Sequence, residues 1–265
     1  MNSLDYQTFN EMLNHVSPET EKSIDGFYQS TIVPELNGKV LGINNLVSDE
    51  LLRKCEFSSM DFSLGLSETS FSLPIRSISI NRIRSCRSFS SQSIHFGQLA
   101  QCLSNAICAD TTGRRSYSSA GGLYPVEVFI ALHKERLTHT PENFKSGFYY
   151  LNSNQKKLIL LTPASSKEIK RVVMTHDSYF RSSAFQVITV INIVKSLFKY
   201  KERGFRNALI EVGSIHHVLR ATFAECGIHS CESAEFNDHR LLDAIALNKR
   251  LFKASLVQHF GYPLC

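Results

Sequence analysis

The sequence has no apolar run approaching the roughly 20 residues that a membrane-spanning helix needs. Its longest candidate, QVITVINIV at 186–194, is interrupted by Thr189 and Asn192. The N-terminus, MNSLDYQTFN, is polar and acidic and carries no signal-peptide core. There is no long basic helix and no basic-aromatic array. The formal net charge of +5 therefore admits an anionic ligand without calling for nucleic acid. Internal repeats are absent. So are G-x-G-x-x-G, the P-loop, H-E-x-x-H and G-x-S-x-G, and no Ser-His-Asp set stands out, so the chemistry must be sought elsewhere. The seven cysteines, Cys55, Cys86, Cys102, Cys108, Cys226, Cys231 and Cys265, follow no disulfide framework, which fits reduced thiols in a cytoplasmic protein. The stretch C-G-I-H-S-C (226–231) has no second ligand pair at zinc-like spacing, so no metal is expected.

What remains is a chain of 265 residues, 43% hydrophobic and 20% charged, enough for one sizeable domain with an extension. Residues 1–75 read as that extension. Leu4, Phe9, Met12, Leu13 and Val16 form a loose helical stripe, Pro34, Gly38 and Gly42 break it, and 57–79 is serine-rich and irregular. From 76 to 265 the pattern sharpens. SIHFGQLAQCLSNAI (93–107) has helical spacing, with Ser93 as N-cap. PVEVFIAL (125–132) is a strand, and GFYYL and KLILL form a hairpin around LNSNQK. SSKEIKRVVM (165–174) is a helix. QVITVINIV, β-branched and continuous, suits a central strand covered on both faces. A long buried helix (205–228), a shorter one (237–247) and a closing strand SLVQHF (255–260) follow. Strands and helices mix without βαβ alternation, so the fold class is α+β, with a mixed, mainly antiparallel sheet flanked by helices.

Three stretches can carry chemistry. In NRIRSCRSF (81–89), Arg82, Arg84 and Arg87 lie close to Ser85 and Ser88. Guanidinium forks and hydroxyls suit a phosphate, although the spacing alone equally describes a solvated basic strand. RRSYSSAGGLYPVEVFIAL (114–132) sets small residues between a basic pair and a strand. Such a backbone can approach a flat ligand closely, or simply turn. LFKYKERGFRNALIEVGS (197–214) puts Lys199 and Tyr200 just past the central strand, where reacting groups often sit. Either side chain can act as a base, or be merely solvated and packed.

In this order, R-S-x-R at 84–87, S-S-A-G-G-L-Y-P-V-E-V, then K-Y, R-G-F-R and E-x-G-S, the sequence resembles the FMN-dependent nitroreductase-like superfamily. More narrowly, it is similar to the azoline dehydrogenase subunits of microcin-type thiazole/oxazole-modified peptide synthetases. The resemblance covers about residues 80–262. It implies that Arg84, Ser85 and Arg87 hold the FMN phosphate and ribityl chain. Ser118, Ser119, Gly121 and Gly122 would lie along the flavin ring, with the glycines avoiding a collision. Backbone near Ala234 and Glu235 would approach the reactive edge, and Lys199 with Tyr200 would supply the catalytic base. Many members carry basic residues in a tail beyond the Gly-Tyr-Pro turn. Here only four residues follow Gly261, so the phosphate is expected to lean on Arg84, Arg87 and Arg206. His216 and His217 stand on the long helix, either facing the cofactor or at the edge of the core.

The resemblance further implies a homodimer with FMN at the subunit interface. It implies three partners: a YcaO-type cyclodehydratase, a leader-peptide-binding protein of the ubiquitin-activating-enzyme type, and the precursor peptide. No nucleic acid or membrane is among the expected partners. The reaction would be two-electron oxidation of a thiazoline or oxazoline to the aromatic azole, with the flavin carrying the redox chemistry. Two rival readings are a free-standing NAD(P)H-dependent nitro or quinone reductase and a non-catalytic flavin-fold scaffold.

Overall fold

The computed structural model describes residues 6–32, 35–36, 39–40, 48, 50, 83–174, 180 and 182–264. Arg82, Leu4, Cys55 and Cys265, and the serine-rich stretch 57–79, lie outside them.

The organising element is the strand β8 (Phe185–Asn192), buried along its whole length. Antiparallel neighbours extend the sheet on both sides in the order β7-β6-β4-β8-β10-β9. The others are β4 (Val126–Leu132), β6 (Gly147–Asn152), β7 (Lys157–Pro163), β9 (His229–Ser233) and β10 (Phe252–Gly261). Every pairing in this sheet is antiparallel. Short pairs β1 (Glu35–Leu36) with β2 (Lys39–Val40), and β3 (Ile94–His95) with β5 (Leu137–Thr138), lie apart from it. Only the latter is parallel among the described pairings.

Side chains alternate across the sheet with period two. Val187 and Ile191 of β8, with Val128 and Ile130 of β4, enter one core. Ile188, Val190, Phe129 and Ala131 enter the other. The first core is covered by α3 (Phe96–Ile107), α5 (Ile193–Tyr200) and α6 (Glu202–Ala224). The second is covered by α4 (Ser166–Val173) and α7 (Asp238–Ala244). The α+β reading therefore holds, and the β-branched run is central and covered on both faces as expected, as far as Asn192.

Several boundaries differ from expectation: the long helix runs Glu202–Ala224, the shorter one Asp238–Ala244 and the closing strand Phe252–Gly261, and two further differences, at the end of β8 and the start of α3, have a clear cause. The strand stops at Asn192, whose side chain accepts from the Lys195 N–H and caps a helix, so Ile193 through Tyr200 is α5 and not a strand continuation. Ile193, Val194 and Leu197 are buried at helical spacing, which gives the helix its own claim on the core. The cap of α3 is His95 instead of Ser93: its Nδ1 accepts from the Gly97 N–H at 3.0 Å. By contrast, α4 starts where the sequence says, on a reciprocal capping box of Ser165 and Glu168.

Helices α1 (Tyr6–Asn14) and α2 (Pro18–Thr31) belong to the same compact unit as 83–265. Phe9, Met12, Leu13 and Val16 pack on the first core, and α1 lies against α5. Polar contacts fasten α2. Thr20 Oγ1 donates to Glu202 at 2.7 Å, Tyr28 to Asp238 at 2.7 Å, and the buried Lys253 ammonium to Asp25 at 2.7 Å. Hydrogen bonding and charge from Lys253 hold the Asp25 carboxyl below the usual range. Asp25→Ala leaves that buried ammonium without its carboxylate, with the Lys249 carbonyl and the face of the Tyr28 ring beside it. It should cost about 1.5–3 kcal/mol, read as a lower urea midpoint at unchanged slope. A depressed carboxyl stabilises above its unfolded pKa and loses that contribution as pH falls through the folded one. The wild-type advantage should therefore shrink below about pH 4.

Candidate active site

The small-residue stretch connects α3 to β4 as a loop held from several sides. Asp110 Oδ1 accepts from the backbone of Thr112 and Arg114 and starts the turn. Ala120–Gly122 makes one 3-10 turn with Gly121 at φ +64° and Gly122 at φ +66°, a region that glycine enters without strain. Ser119 Oγ accepts from the Tyr124 N–H at 2.8 Å and hydrogen-bonds the buried carboxyl of Glu211 on α6. Glu211 also accepts from the Val126 N–H. One carboxyl oxygen takes both contacts, because Oε1 has no partner among the described residues. On α5, Lys195 Nζ donates to the Tyr124 carbonyl at 2.7 Å and pairs with Glu127 at 3.1 Å. Loop, sheet and both helices are thus tied together.

The decisive geometry lies at Gly121. A β-carbon there would stand 2.5 Å from the Tyr200 hydroxyl and 3.0 Å from Lys199 Nζ. The structure therefore brings the glycine loop and the lysine-tyrosine pair together. It also gives Gly121 its own reason to be glycine, since a side chain would strike Tyr200. A β-carbon on Gly122 would enter open space. The Lys199 ammonium lies 5.3 Å from the centroid of the Tyr200 ring. Lys199 is exposed and Tyr200 half-buried, so the pair faces solvent from the C-terminal turn of α5. Arg115 stacks over the Tyr124 ring at 4.3 Å and donates to the Tyr117 hydroxyl at 2.8 Å, which stiffens the loop's entrance.

The arginine segment lies elsewhere. The Cys86 N–H donates to the Ser230 carbonyl, the Ser90 N–H to the Tyr262 carbonyl and the Leu264 N–H to the Ser88 carbonyl. Phe89 is buried and bridges Pro263. Arg84, Ser85 and Arg87 remain exposed. Strand β9 starts at this end, His229 opposite Gly261, and runs away from it to Ser233, level with Ile188; Ala234, exposed, and Glu235, half-buried with its N–H on Ser233 Oγ, follow beyond mid-sheet. The register fixes the separation. Val126 pairs with Ile191 at the glycine-loop end, and Leu132 with Phe185 at the arginine end. Six residue steps of about 3.3 Å put these two ends of the sheet about 20 Å apart. Arg206, exposed on the second turn of α6, belongs to the lysine-tyrosine end, so within one chain it does not join Arg84 and Arg87.

Of the two histidines, His216 is a core residue. It meets Thr189 Oγ1 at 2.9 Å and Gln258 Oε1 at 2.8 Å, and burial pushes its pKa down to about 4. His217 is exposed. The sequence reading gave no role to Glu211, Lys195 or Arg115. Their signals were available: an acid on the buried face of a long helix, a lysine one turn before Lys199, and the second arginine of the opening pair.

Burial pushes the Glu211 carboxyl above its usual range, against weaker help from Ser119, Val126, Arg115 and Lys195. A raised carboxyl means that the folded state binds the proton more tightly than the unfolded state. Stability is therefore present at low pH and lost as pH rises from the unfolded pKa toward the folded one. Glu211→Gln keeps an acceptor for Val126 and removes the ionisation. Its Tm should match wild type near pH 4, the ordinary carboxyl range, and exceed it at higher pH, as differential scanning across pH would read.

The fold and this chain's sequence fall in a known class: the chain belongs to the nitroreductase family, whose pattern matches residues 80–262. Over 169 residues it is 30% identical to the microcin B17-processing protein McbC of Escherichia coli, covering 62% of this chain and 60% of McbC. The chain thus matches less than two thirds of that curated relative's length. In fold it is similar to a chain of the E. coli microcin synthetase McbBCD complex with truncated pro-MccB17 bound, with a TM-score of 0.81 and 24% identity over 100% of this chain and 99% of that one. A nitroreductase-type protein of Ralstonia eutropha JMP134 follows at TM-score 0.57 and 18% identity, over 73% of this chain and 88% of its own. The resemblance read from residues 80–262 is borne out over those same residues.

Proposed function

We propose that this chain is an FMN-dependent azoline dehydrogenase. It oxidises thiazoline or oxazoline rings to thiazole or oxazole in a ribosomally made peptide, within a cytoplasmic cyclodehydratase-dehydrogenase complex. The observation that carries the reading is the contact at Gly121. It makes a glycine-lined face and a lysine-tyrosine pair into one site, next to the open space beside Gly122. Family membership supports flavin, and the identity to McbC supports the peptide-processing role. The microcin synthetase complex supports protein partners and a precursor peptide. We assign the partners as a YcaO-type cyclodehydratase and a leader-peptide-binding protein of the ubiquitin-activating-enzyme type.

The residues fit the cofactor if two copies contribute. Two exposed guanidiniums and the Ser85 hydroxyl suit a phosphate, and the glycine backbone leaves room for a flat ring. They lie at opposite sheet ends in one chain, so Arg84, Ser85 and Arg87, with the backbone near Ala234 and Glu235, would serve one copy's portion of the site. The partner would bring Ser118, Ser119, Gly121, Gly122, Lys199, Tyr200 and Arg206. Bound flavin supplies the two-electron acceptor for a hydride from the azoline ring. This chain's residues handle the proton. Tyr200 Oη takes it from the ring carbon. Lys199 acts beside it, with its ammonium 5.3 Å from the centre of the Tyr200 ring. Lys195 holds α5, and with it the pair, against the loop.

Tyr200→Phe and Lys199→Ala should each keep bound FMN and partners yet slow ring oxidation about 10²–10⁴-fold. Mass spectrometry would find peptide heavier by two hydrogens per unoxidised ring. Wild-type azole formation in both variants would remove the pair from the mechanism. Arg84→Ala with Arg87→Ala should release FMN from a folded protein. Mixing that chain with one carrying Lys199→Ala and Tyr200→Phe leaves one intact site per mixed dimer, so activity should return in part. No recovery in a mixed dimer would overturn the two-copy site.

A further inference from the structure

Two thiols that play no part in the proposed reaction meet on the far side of the first core. Cys102 lies on the buried face of α3, with 4% of its surface exposed. Cys226 follows the C-terminus of α6 and is partly exposed. Their Sγ atoms are 3.6 Å apart, although 124 residues separate them in sequence. The α6 terminus fixes Cys226. Its N–H donates to the Phe223 carbonyl at 3.0 Å, and Gly227 at φ +72° turns the chain away. We infer that Cys102 and Cys226 form a peroxide-reactive dithiol, a covalent modification site that oxidation closes into a disulfide joining α3 to the end of α6.

The two thiols are chemically unequal. Burial first, and then the hydrogen bond and charge of Cys226, push the Cys102 pKa up to about 12. Cys102 therefore stays a thiol while Cys226 meets solvent, so Cys226 is the nucleophile and Cys102 the resolving group. The Cys226 thiolate attacks hydrogen peroxide, an S–O bond forms, the O–O bond breaks, and hydroxide leaves. The sulfenic acid is neutral, which removes the charge contribution of Cys226, a smaller cause of the raised Cys102 pKa than burial. Cys102 then loses its proton and attacks the Cys226 sulfur, an S–S bond forms, and water leaves. Overall, two thiols and one peroxide give one disulfide and two waters, and a dithiol reductant reverses the change. Bringing the sulfurs from 3.6 Å to bonding distance asks for a shift of about 1.5 Å, at a helix end and a side-chain rotor.

This inference does not depend on the proposed activity, and its test needs no substrate. The full-length protein would be treated with mild hydrogen peroxide, denatured, and its free thiols counted. Wild type should lose two of its seven thiols, and the peptides containing Cys102 and Cys226 should become linked. Cys102→Ser should instead leave a sulfenic acid on Cys226 that dimedone labels, and Cys226→Ser should give no link. The oxidised wild type should melt several degrees higher, because the bond closes a long loop in the unfolded chain. Separate, still alkylatable Cys102 and Cys226 after oxidation of other thiols would overturn the inference. So would a link that joins Cys102 or Cys226 to a different cysteine in place of this pair.

Discussion

At position 121 a β-carbon would stand 2.5 Å from the Tyr200 hydroxyl, well inside any tolerable contact. Because residue 121 carries no side chain, the Tyr200 and Lys199 side chains at the end of α5 can rest against the loop before β4 without moving aside. The loop must also hold a left-handed turn at both Gly121 and Gly122, and it does so with help from beneath and beside. Glu211 grips Ser119 and the start of β4 from α6, and Lys195 grips the Tyr124 carbonyl from α5. A helix pair, a turn and a strand start thus converge on one contact. The helices can come this close because Gly204, at the beginning of α6, leaves space for the Ser196 carbonyl that a side chain would fill.

The sheet that supports this contact also limits it. An antiparallel strand of seven residues keeps its two ends about 20 Å apart, and no side chain bridges that distance. The exposed arginines are bound to the far end by main-chain hydrogen bonds to Ser230 and Tyr262, so they cannot swing round. A cofactor engaging both ends in a single chain would have to lie along the face of the sheet, which the cores already fill. A second copy, turned so that its glycine-loop end meets the first copy's arginine end, removes the conflict. The proposed two-copy site therefore follows from strand length and register as much as from family.

Much of this architecture could be read from the sequence because period and capping speak locally. The alternation of PVEVFIAL, the hairpin around LNSNQK and the Ser165–Glu168 box each carry their own signal. What escaped was set by contacts distant in sequence. Residues 193 and 194 read as the end of the central strand, yet Asn192 caps Lys195 and turns them into helix. The arginine segment and the glycine loop look adjacent in sequence order, yet register puts the sheet between them. Glu211 reads as one more polar residue on a helix until Ser119, 92 positions earlier, is found against it. Cys102 and Cys226 are invisible as a pair for the same reason.

The N-terminal helices bear on the same contact from the other side. Lys199 and Tyr200 end α5, and α6 begins two residues later, after Lys201 at φ +49°. Such a turn, made by a non-glycine residue, persists only if its surroundings hold it. Helix α1 packs on α5 before the turn, and Thr20 of α2 bonds Glu202 just after it. Phe27 meets Phe205 edge-on with ring centroids 6.2 Å apart, bracing the next turn of α6. These contacts leave the lysine-tyrosine corner little freedom, while the side chains on it still face outward. That combination, a fixed backbone under accessible side chains, is what the proposed removal of a proton from a peptide-borne ring requires. The N-terminal stretch, the least diagnostic part of the sequence, is on this reading part of the catalytic scaffold.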